Sequence, residues 1–174
     1  MSETVPNPLN GLAIRRATNA DIPAIRAVLH AVRLEYGVLS EMGATDPDLD
    51  DIELGYFGRG GYFEVVEDGG GRVLGCAGLY PLSQQRAELC KMYLERAARG
   101  RGLGKRLLEN LLAAARRGRF REVWLETNSV LTEAITLYRK YGFEPVEPEG
   151  LLPKCDVAFL LRLEPSPSEK PGCS

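Results

Sequence analysis

The chain has 174 residues, of which 44% are hydrophobic and 26% are charged, and its formal net charge is −2. This composition is typical of a globular domain and excludes a disordered chain, a collagen-like repeat and a coiled coil. A net charge so close to zero does not favour a nucleic-acid or membrane partner, and no apolar run approaches the roughly eighteen residues that span a bilayer. The cysteines form no C-x-x-C pair, and the N-terminus has no secretory signal pattern. We therefore expect reduced thiols and a cytoplasmic protein.

The two ends of the chain differ in composition from the rest. Residues 1–10 and 164–174 are rich in proline, serine and charged residues, so we expect both to be tails outside one domain of residues 11–163. Within that domain the first predicted element is a strand at 12–16. The pattern Thr18-Asn-Ala-Asp21 then predicts the start of a helix, because a capping box satisfies its first backbone N–H groups. The apolar side chains that follow recur at helical spacing, at Ile22, Ile25, Leu29 and Val32.

The next part of the chain predicts a short helix and a three-stranded meander. A second helix is expected at 49–57. Strand-like runs at 62–67 and 72–80 are joined by an Asp-Gly-Gly-Gly segment at 68–71, which is typical of a hairpin turn. A third strand is expected at 87–94.

Helices and strands alternate in the second half of the chain. An amphipathic helix is predicted at 104–117, a strand at 122–127, a second helix at 132–141 and a last strand at 157–163. Gly142 suits the left-handed position that ends a helix. A meander that leads into β-α-β units predicts a mixed α/β or α+β domain with one central sheet.

The most informative segment lies where the third strand of the meander gives way to the long helix. Its glycines let the backbone approach a ligand, and the start of a helix binds phosphate through free N–H groups and the helix dipole. Nine Lys or Arg residues lie between Arg96 and Arg121, against Glu109 alone. This local excess of positive charge predicts a site for a polyanion.

The spacing in this segment excludes two common phosphate motifs. A P-loop needs Ser or Thr after its lysine, but Lys105 is followed by Arg106. A dinucleotide fingerprint needs a third glycine after Gly104, where Leu107 stands. The pattern that fits is Arg-x-x-Gly-x-Gly at 99–104.

Two motifs together resemble the GNAT superfamily of acyl-CoA-dependent N-acyltransferases. Residues 99–104 resemble its coenzyme A pyrophosphate loop, and the run Ala-x-x-x-Tyr-x-x-x-Gly-Phe at 134–143 resembles its last helix and exit turn. The resemblance spans roughly residues 12–163. It implies one domain whose mixed, mostly antiparallel sheet is flanked by helices and has splayed fourth and fifth strands. It also implies an acetyltransferase that uses acetyl-CoA as co-substrate and needs no metal.

The resemblance implies a coenzyme site on the third meander strand and on residues 99–104, which we call the glycine loop. The exposed backbone of Met92, Tyr93 and Leu94 would hold the thioester oxygen and the pantetheine arm. The pyrophosphate would lie on the loop and the helix start, at Arg99, Gly100, Arg101, Gly102, Leu103, Gly104 and Lys105. Leu131 stands where many members place an asparagine that contacts the pantetheine arm, and Asn128 is out of register for that contact.

The catalytic step expected from the resemblance is attack by an amine on a thioester. Tyr138 matches the family's general acid, and the alternative is a core tyrosine on the buried stripe of its helix. Glu88 and Glu126 are both candidates for the base, alone or together, and the alternative for each is an exposed or ion-paired strand residue. Cys90 is expected to be a packed thiol, and strand alternation predicts that the side chain of Lys91 faces away from it.

The acceptor is less readable from the sequence. Nine acidic residues lie between Glu41 and Asp68, and we expect some of them, including Asp48 and Asp51, to rim the acceptor entrance and favour a cationic amine. The alternative is a solvated acidic face. Tyr36 and Tyr56 are candidates to line the same mouth.

The expected acceptor is the primary amine of a small molecule. A protein N-terminus or lysine remains an alternative, as does a non-catalytic acyl-CoA-binding module. RNA is not expected as a partner, because the basic stretch lacks interleaved aromatic residues that would stack on bases. The sequence leaves open whether the protein is a monomer or a homodimer.

Overall fold

Seven strands join in one sheet in the computed structural model, which describes residues 11–38, 46–147 and 155–164. In chain order they are β1 (Ala13–Arg16), β2 (Tyr62–Glu67), β3 (Val73–Pro81), β4 (Arg86–Leu94), β5 (Glu122–Thr127), β6 (Glu144–Val146) and β7 (Val157–Arg162). Their order across the sheet is β1-β2-β3-β4-β5-β7-β6, and the β4–β5 pair is parallel while the other neighbours are antiparallel. The predicted mixed, mostly antiparallel sheet is therefore confirmed. The tails expected at 1–10 and beyond 164 lie outside the described residues.

Helices cover both faces of the sheet. They are α1 (Ile22–Glu35), α2 (Ile52–Gly55), α3 (Leu103–Arg117) and α4 (Thr132–Lys140). One core lies between the sheet and α1 and α2, with Ile25, Leu29 and Phe63 fully or almost fully buried. The other lies beneath α3 and α4 and includes the leucine stripe of α3. No helix in the described part of the chain is long and apolar enough to cross a bilayer.

Local sequence explains where several elements begin and end. The Asp21 carboxylate accepts the backbone N–H of Thr18 at 2.8 Å, as the capping-box pattern predicts. In the β2–β3 hairpin, the Asp68 carboxylate accepts the backbone N–H groups of Gly70 and Arg72. Gly142 has a φ of +89° after α4, which is the left-handed helix end expected there.

Strands β4 and β5 separate soon after they pair. Their shared register covers only Arg86–Glu88 against Glu122–Trp124, although β4 continues to Leu94. The backbone of β4 beyond Glu88 therefore has no β5 ladder beside it. This is the expected splay, and it opens a gap in the middle of the sheet.

A bulge in β4 reverses the direction of its side chains. The pairing with β3 runs from Gly78↔Cys90 to Cys76↔Tyr93, so β4 carries one extra residue, and Lys91 has a left-handed φ of +55°. Before the bulge, Leu89 packs beneath α3 and Cys90 packs on the α1 side. After it, Met92 packs beneath α3 and Tyr93 packs on the α1 side.

Two elements differ from the sequence-based expectation. The helix expected at 49–57 is only the four residues of α2, with short 3-10 turns at Pro47–Leu49 and Phe57–Arg59. Strand β6 was not predicted, because three residues that include Pro145 give almost no strand pattern. It pairs at the outer edge of the sheet, where proline is tolerated.

Candidate active site

A cleft of about 300 Å³ lies between the glycine loop and α4. Its lining includes eight of the ten residues expected to hold the coenzyme, namely Met92, Tyr93, Leu94, Arg99, Gly100, Gly102, Leu103 and Gly104. The opposite wall is formed by residues of the β5–α4 turn and α4, including Leu131 and Leu137, by Val32 of α1 and by Tyr36, which directly follows α1. We call this space the loop cleft. Arg101 and Lys105 are exposed and are not among its lining residues.

The backbone of the glycine loop is left-handed at two of its glycines, a conformation that glycine adopts easily. Gly100 and Gly102 both have a φ of +73°, a left-handed conformation that side chains disfavour, and no atom lies within 4 Å of a Cβ built on either. Gly102 is the N-cap of α3. The first N–H groups of a helix have no partner inside the helix, so those of Leu103, Gly104 and Lys105 are available at this end of the cleft. With the helix dipole they make a site for phosphate.

Arg99 is fixed by contacts on three sides. Its Nη1 and Nη2 donate to the two carboxylate oxygens of Glu35, each at 2.8 Å, and its Nε donates to the carbonyl of Leu94 at 2.9 Å. Its guanidinium lies 5.3 Å from the ring centre of Tyr36. Arg99 thus ties the glycine loop to the end of β4 and the end of α1. Hydrogen bonds from Arg99 and Arg96 lower the pKa of Glu35 to about 2, so this carboxylate is charged at neutral pH.

A smaller cavity of about 60 Å³ occupies the gap between β4 and β5. Glu88 and Glu126, the two candidate bases, both line it, and so do Arg33, Cys90 and Lys91. The structure therefore brings the two carboxylates into one space. We call this space the gap cavity. Tyr93 and Leu131 line both the gap cavity and the loop cleft, so the two spaces adjoin at these residues.

A buried ion cluster lies behind one wall of the gap cavity. Asp46 accepts from both terminal nitrogens of Arg33, at 2.7 and 3.1 Å, and its Oδ1 lies 3.0 Å from Lys91 Nζ. Lys91 Nζ also lies 3.2 Å from Asp48. Burial alone lowers the pKa of Lys91, but the nearby Cys90, Asp48 and Asp46 outweigh burial and raise that pKa above its usual range. The cluster therefore keeps two cations charged inside the protein.

The expected orientation of Lys91 is wrong. Regular alternation would place its side chain on the face opposite to Cys90, but both residues line the gap cavity. The bulge and the left-handed backbone of Lys91 cause the difference. The Cys90 thiol itself is an inert neighbour, because burial raises its pKa to about 12.

Tyr138 lies on the buried side of α4 and is 4% exposed. Its ring centre is 5.7 Å from that of Phe143. Burial, with electrostatic contributions from Tyr93 and Cys90, raises its pKa above the ordinary tyrosine range. The phenol therefore keeps its proton at neutral pH and lies near two residues that line the gap cavity. The ring is part of the core beneath α3 and α4, and Tyr138 is not among the residues that line the loop cleft or the gap cavity.

The residues expected at an acceptor mouth lie elsewhere. Tyr36 lines the loop cleft, and Tyr56 is fully buried, with its hydroxyl donating to Asp48 at 2.5 Å and lying 3.4 Å from Cys90 Sγ. Asp48 belongs to the ion cluster, and Asp51 caps α2 by accepting the N–H of Leu54. Most other acids of the 41–68 stretch form ion pairs or accept backbone N–H groups. Glu64 is buried and accepts from Asn110, and Glu41 lies outside the described residues.

Sequence reasoning missed four residues of this region, namely Arg33, Glu35, Asp46 and Lys91. Arg33 could have been noticed, because it falls within the buried helical stripe that Ile25, Leu29 and Val32 define, where a charged side chain needs a partner. The pairing of Glu35 with Arg99 joins residues 64 apart and carries no local signal.

Comparison with known proteins identifies the fold and the family of this chain. A family model described as "Acetyltransferase (GNAT) family" matches residues 27–143. The uncharacterised N-acetyltransferase YjgM of Escherichia coli is 40% identical over 139 residues, which cover 77% of this chain and 83% of YjgM. A GNAT-family acetyltransferase of Staphylococcus aureus has a TM-score of 0.80 at 20% identity, covering 88% of this chain and 99% of its own. YncA of Salmonella typhimurium, solved with acetyl-CoA, has a TM-score of 0.72 at 22% identity, covering 94% of this chain and all of its own.

Proposed function

Because this chain belongs to the GNAT family and is an acyl-CoA-dependent N-acetyltransferase, we propose that its acceptor is the primary amine of a small molecule. The acetyl group passes directly to the amine in a complex of enzyme, acetyl-CoA and acceptor. The adjoining loop cleft and gap cavity carry this proposal, because a donor in one space would bring its acetyl group to an acceptor in the other.

The loop cleft fits the coenzyme. Left-handed glycines at 100 and 102 keep side chains out of the space next to the start of α3, where N–H groups and the helix dipole favour a pyrophosphate. At Met92, Tyr93 and Leu94, β4 is not paired with β5, so its backbone groups on that side are offered to the pantetheine arm. Acetyl-CoA supplies an acetyl group activated as a thioester.

Glu88 and Glu126 act on the acceptor side. An ammonium of intrinsic pKa about 10 must lose a proton before it can attack, and two carboxylates in one cavity can accept that proton directly or through water. Their negative charge also attracts the ammonium form. The two glutamates therefore bind and deprotonate the amine as a pair.

Tyr138 acts on the leaving side. Its hydroxyl remains protonated at neutral pH and can donate to the sulfur on which negative charge develops. Burial also raises the pKa of the leaving thiol. The pKa of the proton donor, Tyr138, and that of the acceptor, the coenzyme sulfur, therefore change in the same direction. The Cys90 thiol has no part in the transfer, because its pKa of about 12 leaves almost no thiolate.

An amine screen tests the acceptor. The full chain is incubated with acetyl-CoA and a panel of amino acids, polyamines, aminoglycosides and peptides with free N-termini or lysines, and release of the coenzyme thiol is followed. We expect turnover with small amines, reduced at least tenfold in the Glu88→Gln/Glu126→Gln double variant. Turnover restricted to peptides contradicts a small-molecule acceptor, and binding of CoA without any turnover favours an acyl-CoA-binding module.

A further inference from the structure

We propose that the acceptor carries a carboxylate beside its amine, as a free amino acid does, and that Arg33 and Lys91 bind this carboxylate. The inference rests on the proposed function and narrows it from amines in general to zwitterionic amino acids. It departs from the expectation of a purely cationic acceptor, which was based on acidic residues that the structure uses mainly in ion pairs and turns.

Arg33 lines the gap cavity and carries a buried hydrogen-bond donor that its ion pair with Asp46 does not use. The residue is 4% exposed and lines this cavity, and both of its terminal nitrogens donate to Asp46. Its Nε–H, in contrast, is buried and has no hydrogen-bond partner among the described residues. A buried donor without a partner is costly, because it loses water and gains nothing in return. A ligand carboxylate at this wall would supply the missing acceptor.

Lys91 adds a second donor at the same wall. Its ammonium is directed to Asp46 and Asp48, which lie behind the cavity and are not among its lining residues. These two contacts use two of the three N–H groups of an ammonium, which leaves one for a further acceptor. Asp46 and Asp48 balance the charges of Arg33 and Lys91. A bound carboxylate would therefore be held by directed hydrogen bonds more than by net attraction.

The other side of the same cavity has the opposite character. Glu88 and Glu126 lie on β4 and β5, where they favour an ammonium group. A zwitterionic head group presents one charge to each side. A polyamine would instead bring positive charge against Arg33 and Lys91, and a protein N-terminus or lysine has no carboxylate next to its amine. The volume of about 60 Å³ suits a head group, with the rest of the acceptor outside the cavity.

Matched acceptors test the proposal in the wild-type chain. For several side chains, the free amino acid is compared with its amide, its methyl ester and the decarboxylated amine, by release of the coenzyme thiol. We expect kcat/KM for the free acid to exceed that for each of the three acceptors without a carboxylate by about tenfold or more. Without a carboxylate, the hydrogen-bond donors of Arg33 and Lys91 stay unpaired. The difference should appear mainly in KM.

An Arg33→Lys variant identifies the residue responsible. It keeps a positive charge opposite Asp46 but removes the Nε–H, so the ratio of kcat/KM for the free acid to kcat/KM for the decarboxylated amine should fall about tenfold. Arg26→Lys is the matched control, because Arg26 also lies on α1 and pairs with an aspartate, Asp50, at a more exposed position. Its contact with Asp46 is to the backbone carbonyl, at 3.3 Å, and not to the carboxylate that Arg33 binds. The Arg26→Lys variant should retain the wild-type preference. Calorimetric titration of the N-acetylated amino acid gives a second readout that needs no turnover, and its affinity should fall in Arg33→Lys alone.

The outcomes separate this inference from the proposed function. Acetylation of amides, esters and amines as fast as of the free acids would overturn the carboxylate site and leave a small-molecule acetyltransferase in place. A preference for free acids that survives Arg33→Lys would overturn the role of Arg33. A chain that acetylates no small amine contradicts the proposed function itself.

Discussion

The carboxylate of Glu35, at the last residue of α1, accepts both terminal nitrogens of Arg99 at 2.8 Å. Arg99 is the first residue of the motif that identified the coenzyme loop, and it was expected to add positive charge for a polyanion. Its contacts also give it a structural task. It holds the loop in shape by joining it to two other elements, and the N–H groups at the start of α3 are available to the phosphates of the proposed coenzyme.

A Glu35→Gln variant should weaken coenzyme binding. Loss of the charge on Glu35 loosens Arg99, so the loop must be ordered when the coenzyme binds, and we expect the Kd for CoA to rise several-fold. Calorimetry measures this change. Glu109→Gln is the control, because Glu109 is an exposed partner of Lys105 at 3.8 Å, and its Kd should stay within about twofold of wild type. If Glu35→Gln binds CoA as tightly as wild type or more tightly, the Glu35–Arg99 pair does not help to order the loop for the coenzyme.

The Tyr138→Phe variant should separate catalysis from binding. Removal of the hydroxyl eliminates the proton donor but keeps the ring in the core, so kcat should fall about 100-fold while the Kd for CoA stays the same. Tyr141→Phe on the same helix loses only a hydroxyl that donates to Glu109, and its kcat should be close to wild type. Steady-state kinetics with both variants decides. A normal kcat in Tyr138→Phe would leave this residue as a core tyrosine.

Single and double substitutions of Glu88 and Glu126 should reveal whether they act as a pair. We expect each single change to Gln to lower kcat/KM for the amine by about tenfold or more, and the double change to cost less than the product of the two. Glu122→Gln, on β5 but paired with Arg86, is the control. Effects of the two single changes that multiply independently would show that the glutamates do different tasks.

A Gly102→Ala variant should affect both stability and the coenzyme. The left-handed φ of +73° disfavours a side chain, with a cost of about 1 kcal/mol in the free energy of unfolding. The added methyl group also stands where the loop approaches phosphate. Gly71→Ala is matched, because Gly71 has a φ of +80° and equally open surroundings but lies in the β2–β3 turn. Both variants should lose similar stability, but only Gly102→Ala should bind CoA more weakly.

Buried Glu64 should make stability depend on pH. It is 1% exposed, one oxygen accepts from Asn110 at 3.0 Å, and the other has no partner among the described residues. Burial raises its pKa from 4.5 to about 7, so the folded protein holds a proton that the unfolded chain releases between these values. The contribution of Glu64 to stability therefore falls as pH rises from about 4.5 to 7.

The Glu64→Gln variant tests this dependence by denaturant unfolding at pH 5 and pH 8. The gain in unfolding free energy over wild type should be larger at pH 8, by about 2 kcal/mol, because the variant has no charge to bury. Glu144→Gln, an exposed strand position on β6, should give no such difference. A gain that is the same at both pH values contradicts a raised pKa at Glu64.

The sequence predicted the parts of the fold that depend on neighbours along the chain. Capping boxes, hairpin turns, leucine stripes and left-handed glycines involve residues a few positions apart, and the limits of β2 and β5 match the structure. The bulge in β4 was invisible, because Lys91 looks like any other strand residue until its partner strand is known. The ion cluster escaped for the same reason, since Arg33, Asp46 and Lys91 meet only in three dimensions.

The candidate site divides in the same way. The residues proposed to bind the coenzyme lie close together along the chain, whereas the proposed acceptor side is assembled from α1, β4, β5 and residues 46–48. Proximity in sequence misled in one respect. The acids at 48 and 51 were grouped because they are neighbours, but Asp48 joins the ion cluster and Asp51 caps a helix.

The extra residue at the bulge of β4 directs the two halves of this strand to different cavities. Glu88 and Cys90 before the bulge line the gap cavity, and Met92 and Leu94 after it line the loop cleft. A substitution before the bulge should therefore change the gap cavity and leave the loop cleft as it is. A deletion of Lys91 would remove the extra residue and reverse the side chains that follow, so we expect Met92 and Leu94 to leave the loop cleft.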